Sequence, residues 1–330
     1  MTRVLYGLWN YPQISETYVE AEIQYALSQG IEVRVWSSVS LKPDLVPGVP
    51  VYRGSLKDAV RDFSPHVFHT HFLQAAPGFL GETGSVPVTI RGHSFDWSPA
   101  AAESVLQDNR VKKVWLFPHF AAQLPPHPKV AGLTVAYSSK LYGPHERKDR
   151  RLVLRAAAGR PNKGLADFFT AAALCPEFRF VLCVAEAGGP GGGKEFIQKL
   201  HDEAQASRGR VIFHPDVRQP QIGDLTRLAG IYLFTSDPQS HPFGMPVSMA
   251  ESLATGSYVL ARNRPGAPAF LGDAGRLYNS PEEAAEAVNA TLAWNEAAWG
   301  EAWNRAVARG ESFKDVNVMG PVVDFWKSLS

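Results

Sequence analysis

Two cations three residues apart mark the first place where this sequence could do chemistry. They lie in AAAGRPNKGLADFF (156–169), where an apolar run ends at Ala158 and a helical pattern opens after Gly164. Arg160 and Lys163 therefore sit on a strand-to-helix loop beside a helix N-terminus. Such a terminus offers free N–H groups and a partial positive charge. Together these groups could hold a phosphate or a diphosphate, although charge alone equally allows two solvated surface cations. The second segment is SDPQSHPFGMPVSMAESLATGSYVLA (236–261). Here Phe243–Gly244–Met245–Pro246 leads into a helix, with Pro246 suited to the first turn, where a missing N–H costs nothing. Glu251 falls more than a turn inside, where a carboxylate could accept two ribose hydroxyls or simply face solvent.

Other signals are weaker. His69 and His71 alternate by two on a strand with His66 nearby; a strand end is the plainer reading than a set of metal ligands. GGPGGG (188–193) follows a strand and could form an anion-binding nest or a flexible loop. No G-x-G-x-x-G follows the first strand, which weighs against a nicotinamide enzyme. Asp96 near His93 resembles half a triad, but no Gly-x-Ser-x-Gly elbow exists. Trp294, Trp299 and Trp303 read as packing residues rather than a sugar-stacking surface.

The elements that must position these residues alternate from end to end. VLYGLW, IEVRVWSS, HVFHTHF, PVTIRGH, KKVWLF and LTVAYSS read as strands, with helices over 17–29, 56–63 and 100–107. KLYGPHERKDRR (140–151) reads as an exposed charged linker. A second series follows: RLVLRAAA, FRFVLCVAE, RVIFHP, IYLFTS and YVLAR, with helices over 165–174, 194–207, 224–229, 246–254 and 281–294. Segment 313–329 reads as an amphipathic helix. Strand–helix alternation with near-continuous apolar strands means parallel sheets covered on both faces. Two series then mean an α/β chain of two doubly wound domains, facing across a cleft where ligands meet the strands' C-terminal ends.

Composition agrees with this. The chain has 330 residues, about two domains' worth. Apolar residues make up 45% and charged residues 20%, so a large core is available and disorder is excluded as a description of the whole. With 33 Lys+Arg against 32 Asp+Glu, nothing suggests a nucleic-acid binder. Cys175 and Cys183 lie in apolar runs and read as buried free thiols in a reducing compartment. Neither a signal peptide nor a membrane span of about 18 apolar residues is evident, so a cytoplasmic protein is expected, with peripheral membrane contact left open.

Taken in order, the segments resemble the retaining glycosyltransferases of the GT-B fold, family 4, the glycosyl transferases group 1. YPQISETYVEAEI, HTHF (69–72), RGHSFDW (91–97), Gly159–Gly164, Gly244–Gly256 and the later PGAPAFL carry the likeness, which extends over essentially the whole chain. It implies two Rossmann-like domains: an acceptor-side domain over 1–145, a donor domain over 146–312, and a C-terminal helix, 313–330, that packs back on the first. It implies that Arg160 and Lys163 hold the donor diphosphate with Gly164 in their turn, and that Glu251 binds the ribose. Phe243, Gly244, Met245 and Pro246 would line the sugar and phosphates, Ser15 would approach the phosphates or acceptor, and His93 would face the reacting sugar.

The resemblance departs at one carboxylate: the family's first Glu falls on Phe243, with Ser240 and His241 the nearest polar neighbours, and Pro268–Ala269 replaces Pro-Glu. The expected activity is transfer of a sugar from a UDP- or GDP-linked donor to a carbohydrate, lipid-linked or small-molecule hydroxyl, with retention. Glycan or glycoconjugate biosynthesis is the setting this implies. No cofactor and no metal are expected, because protein cations take the metal's place at the diphosphate. The alternative is a non-catalytic relative that binds a nucleotide sugar or glycan and serves a partner enzyme.

Overall fold

The computed structural model describes residues 1–12, 16–39, 48–186, 192–237, 239 and 243–330. Among the described residues, thirteen strands form two parallel sheets. In the first are β1 (Arg3–Asn10), β2 (Glu32–Val39), β3 (Val51–Tyr52), β4 (Val67–His71), β5 (Val88–Arg91), β6 (Val111–Leu116) and β7 (Val130–Gly132). The second holds β8 (Asp149–Ala158), β9 (Arg179–Ala185), β10 (Val211–Pro215), β11 (Ala229–Phe234), β12 (Tyr258–Arg262) and β13 (Gly275–Tyr278). Their orders are β3-β2-β1-β4-β5-β6-β7 and β10-β9-β8-β11-β12-β13. Each order reverses direction once, between β1 and β4 in one sheet and between β8 and β11 in the other. Open parallel sheets bind ligands outside the strand C-termini at that reversal.

The sequence explains the elements locally. Strands β4 and β11 are buried along their whole length, as sheets covered on both faces require. Ser55 caps the helix Leu56–Phe63 by accepting from the Asp58 N–H at 3.3 Å, and Asn295 caps Glu296–Glu311 in the same way. Cys175 and Cys183 are free and buried. Among the described residues, no helix is long and apolar enough to cross a membrane.

The chain divides into two units: Met1–Ala136 with Asp315–Ser330, and Tyr137–Lys314. The division therefore falls earlier than the expected 145/146. The charged stretch 140–151 is not a free linker. Tyr142 is buried, and the Lys148 ammonium donates to Thr226 O, Thr255 Oγ1 and Ser257 Oγ at 3.0–3.1 Å, so both residues anchor the segment on the second unit. LTVAYSS is not a strand. Its buried Val135–Tyr137 crosses as coil, and the Tyr137 N–H donates to Phe313 O at 3.0 Å instead of to a sheet neighbour. The edge strand is the short β7 before it. Sequence patterning also passed over β3 and β13, which have two and four residues.

The last helix, Asp315–Ser328, belongs to the first unit. It packs on the helix Thr17–Ser28, and its fully buried Trp326 lies edge-on to Tyr6 and Trp115.

Candidate functional site

In the second unit the reversal point lies where β8 and β11 end. The chain leaving β8 turns through Gly159–Gly164 before the helix Leu165–Leu174. The chain leaving β11 runs beside this turn. Asp237 N donates to Asn162 O at 3.1 Å, and Thr235 Oγ1 donates to Lys163 O at 3.0 Å. Gly164 is required at the contact. Its φ is +59°, and an added Cβ would meet the Thr235 carbonyl oxygen at 1.7 Å. Arg160 and Lys163 thus share one rigid turn, and neither side chain has a hydrogen-bond or ion-pair partner among the described residues. Burial and the positive charges of Arg155, Arg160 and Arg264 pull the Lys163 ammonium down to about 8.

Arg155 is a residue that sequence reasoning missed. It is 1% exposed, on β8, stacked 4.6 Å from the Phe234 ring. Among the described residues its guanidinium meets only neutral groups: Tyr232 Oη at 2.8 Å, the Ala156 carbonyl at 3.1 Å and Ser236 Oγ at 3.4 Å. The visible signal was a charge inside an otherwise apolar strand, LVLRAAA. Tyr232 links this cation to the next element by donating to Ser248 Oγ at 2.6 Å.

Ser248 lies in the first turn of the helix Val247–Ala254. Pro246 stands just before that helix rather than at its first position, and as its N-cap offers no side-chain acceptor to the first N–H groups. The helix mouth presents N–H groups and partial positive charge. Met245, which leads in, holds a left-handed φ of 46° while 6% exposed. Non-glycine residues rarely keep such a conformation, which costs on the order of 1–3 kcal/mol and clusters at functional sites.

Glu251 follows Ser248 by three residues, on the same helix face. It is 5% exposed, and burial raises its carboxyl to about 7. Its neighbours are the Gln219 amide, whose Nε2 donates to Oε1 at 3.5 Å, and the Tyr142 hydroxyl, itself 3.5 Å from Gln219 Oε1. No sequence signal pointed to Gln219 or Tyr142, since one opens a helix and the other sits in a charged stretch. Phe243 faces inward. Its ring is 2% exposed and packs edge-on against Phe234 and Phe270 at 6.3 and 5.5 Å. Gly244 lies between Phe243 and Met245. Ser15, Ser240, His241 and most of GGPGGG lie outside the described residues.

In the second unit Arg160, Lys163 and Gly164 follow β8, while Gly244–Pro246 and the helix that carries Glu251 follow β11. His93 belongs to the first unit, after β5. Its Nε2 is 2.9 Å from His71 Nδ1, and its backbone N–H donates to Asp96 Oδ1 at 2.8 Å. Asp96 also accepts from the Leu73 N–H and so ties the ends of β4 and β5 together. Burial, with the neighbouring His71 and Arg91, holds the His93 imidazole well below its ordinary value, so the ring is neutral.

Comparison with solved structures bears on this arrangement. Anabaena HepE, in complex with UDP and glucose, superposes with a TM-score of 0.75 at 16% identity, covering 99% of this chain and 100% of that one. Sucrose-phosphate synthase from Thermosynechococcus elongatus gives 0.77 at 14% identity, with 100% and 99% covered. TarM gives 0.72 at 9%, with 99% of each chain covered.

The fold is GT-B.

Residues 150–293, which hold the cationic turn and Glu251, match the family model described as glycosyl transferases group 1. No curated protein matches the chain.

Proposed function

We propose that the chain is a retaining, metal-independent glycosyltransferase that moves a sugar from a nucleoside diphosphate sugar to an acceptor hydroxyl, in the synthesis of a glycan or glycoconjugate. The observation that carries this reading is a set of cations that, among the described residues, lack a counter-charge at the β8/β11 reversal, beside a helix N-terminus. Arg160 and Lys163 hold the diphosphate, and the helix mouth at Pro246 and the charge of Arg155 add to the field. Glu251 accepts the ribose hydroxyls. The likeness to group 1 glycosyl transferases over this unit supports the assignment, and the UDP and UDP-glucose complexes of HepE make UDP sugars the first donors to test.

In the reaction the bond between the anomeric carbon and the diphosphate oxygen breaks, and its electron pair stays on the phosphate. Stabilising that growing anion is the main catalytic contribution asked of the protein. The acceptor oxygen attacks the same face of an oxocarbenium-like centre, and its proton passes to the leaving phosphate oxygen. His93 is the first unit's proposed catalytic residue, and its imidazole is neutral.

One observation favours a second reading. With Phe243 turned into the core, no carboxylate stands where the resemblance places one, as in a relative that binds a nucleotide sugar without turnover. Calorimetry with UDP, GDP and uridine, together with nucleotide release from UDP- and GDP-sugars, separates the two. Binding with release or transfer supports the enzyme, and binding without turnover supports the second reading. Absence of diphosphate binding overturns both.

A further inference from the structure

The first unit contains a side-chain cluster that the proposed reaction does not use. His69 and His71 alternate along β4 and so point to one face of the sheet. The helix Thr17–Ser28 lies over that face and contributes Glu22. All three are at most 1% exposed. One ligand atom from each lies within 4.8 Å of the other two. Glu22 Oε2 and His71 Nε2 are 3.3 Å apart, yet both atoms, and His69 Nε2, lack a hydrogen-bond partner among the described residues. Three orphaned donor atoms converging in a dry interior are costly, because each has given up water without replacement.

The opposite atom of each side chain is held. His69 Nδ1 meets Thr89 Oγ1 at 2.9 Å, and that hydroxyl oxygen also accepts from Trp326 Nε1 at 3.1 Å. His71 Nδ1 meets His93 Nε2 at 2.9 Å. Glu22 Oε1 accepts from Arg91, whose other amino group donates to Thr134 O at 2.6 Å. Supports of this kind aim ligand atoms at a metal and fix the imidazole tautomers. A separation of 3.3 Å is also close to the edge of a tetrahedron with metal–ligand bonds of about 2.0 Å. The Tyr6 ring lies edge-on 4.9 Å from that of His69, and its buried hydroxyl too has no partner among the described residues.

We propose that Glu22, His69 and His71 bind one divalent transition ion of zinc type, as a structural clasp between the helix Thr17–Ser28 and β4. A proton shared by Glu22 and His71 would satisfy two of these atoms and leave His69 Nε2 bare. Two imidazoles and one free carboxylate oxygen suit zinc, whereas calcium and magnesium need six or more oxygens. The neighbouring Arg91 charge opposes any loosely held cation, which further restricts the site to an ion with short, strong ligand bonds. The ligands all come from the first unit, so the proposal is independent of the donor chemistry.

The test uses the full chain, untagged, stripped with a chelator and then titrated with Zn2+ and Co2+. Expected are about one equivalent of zinc by elemental analysis after gel filtration, a tetrahedral Co2+ absorption band displaced by Zn2+, and a Tm raised by several degrees. Glu22→Gln and His69→Gln should each weaken binding at least tenfold. Should those variants not fold, nitrogen NMR of the wild type decides, through Zn2+-dependent shifts of His69 and His71 Nε2. Substoichiometric metal with an unchanged Tm, unchanged Nε2 shifts, or full binding by folded variants would overturn the proposal.

Discussion

The two units wind their sheets in the same order and treat interior charge in opposite ways. In the first, Arg91 is matched by Glu22, and a fully buried polar network spreads from the pair through His71 to His93. In the second, Arg155 is as deeply buried but meets only neutral oxygens, while Arg160 and Lys163 meet nothing among the described residues. Arg160 is exposed and Lys163 only half-buried, so the stability cost of an unmatched charge falls on the buried Arg155. The same architecture therefore matches its buried arginine with a carboxylate in one half and, among the described residues, leaves it with neutral partners in the other.

The sharpest way to break this comparison is to delete the two buried arginines in parallel. Arg91→Leu strands the Glu22 carboxylate and should cost about 3–5 kcal/mol in urea unfolding. Arg155→Leu strands no charge, so its cost should stay within about 1 kcal/mol or reverse sign. Equal losses would remove the distinction. Next in size, Lys163→Ala should weaken UDP binding about 10- to 100-fold, the worth of a charge-assisted hydrogen bond, and leave uridine binding unchanged in calorimetry. Because the free ammonium titrates near 8, UDP affinity of the wild type should fall as pH rises through that value, and binding there should take up a proton.

A further test is the pH dependence set by Glu251. Its folded carboxyl titrates at about 7, above its unfolded value of about 4.5. Between these two values the folded state binds more protons, so stability falls as pH rises and the loss is complete above 7. Glu251→Gln removes that slope. Its Tm advantage over the wild type should grow from pH 4.5 to 7 and then level off, and a gap independent of pH would count against a buried carboxyl.

Much of this was legible in the sequence for a plain reason. Parallel strands covered on both faces leave long apolar runs, and a strand-to-helix turn with Gly159, Arg160, Lys163 and Gly164 can hardly be read otherwise. What escaped reading depended on contacts between residues far apart in the chain. Tyr142 reaches Gln219 across 77 positions, and Glu22 meets Arg91 across 69. LTVAYSS has the pattern of a strand, but while its Leu133 N–H still reaches Leu116 O in β6, its Tyr137 N–H finds a partner at Phe313. Phe243 showed the loss of a carboxylate in the sequence; only its packing on Phe234 and Phe270 shows what replaces it.

The helix Asp315–Ser328 has a consequence for how the chain is made. Trp326 sits in the heart of the first unit, beside Tyr6 and Trp115, although more than three hundred residues separate it from Tyr6. A ribosome therefore delivers residues 137–314 in full before that tryptophan is translated. The half synthesised later has all its parts first, and the half begun earlier waits for its final wedge.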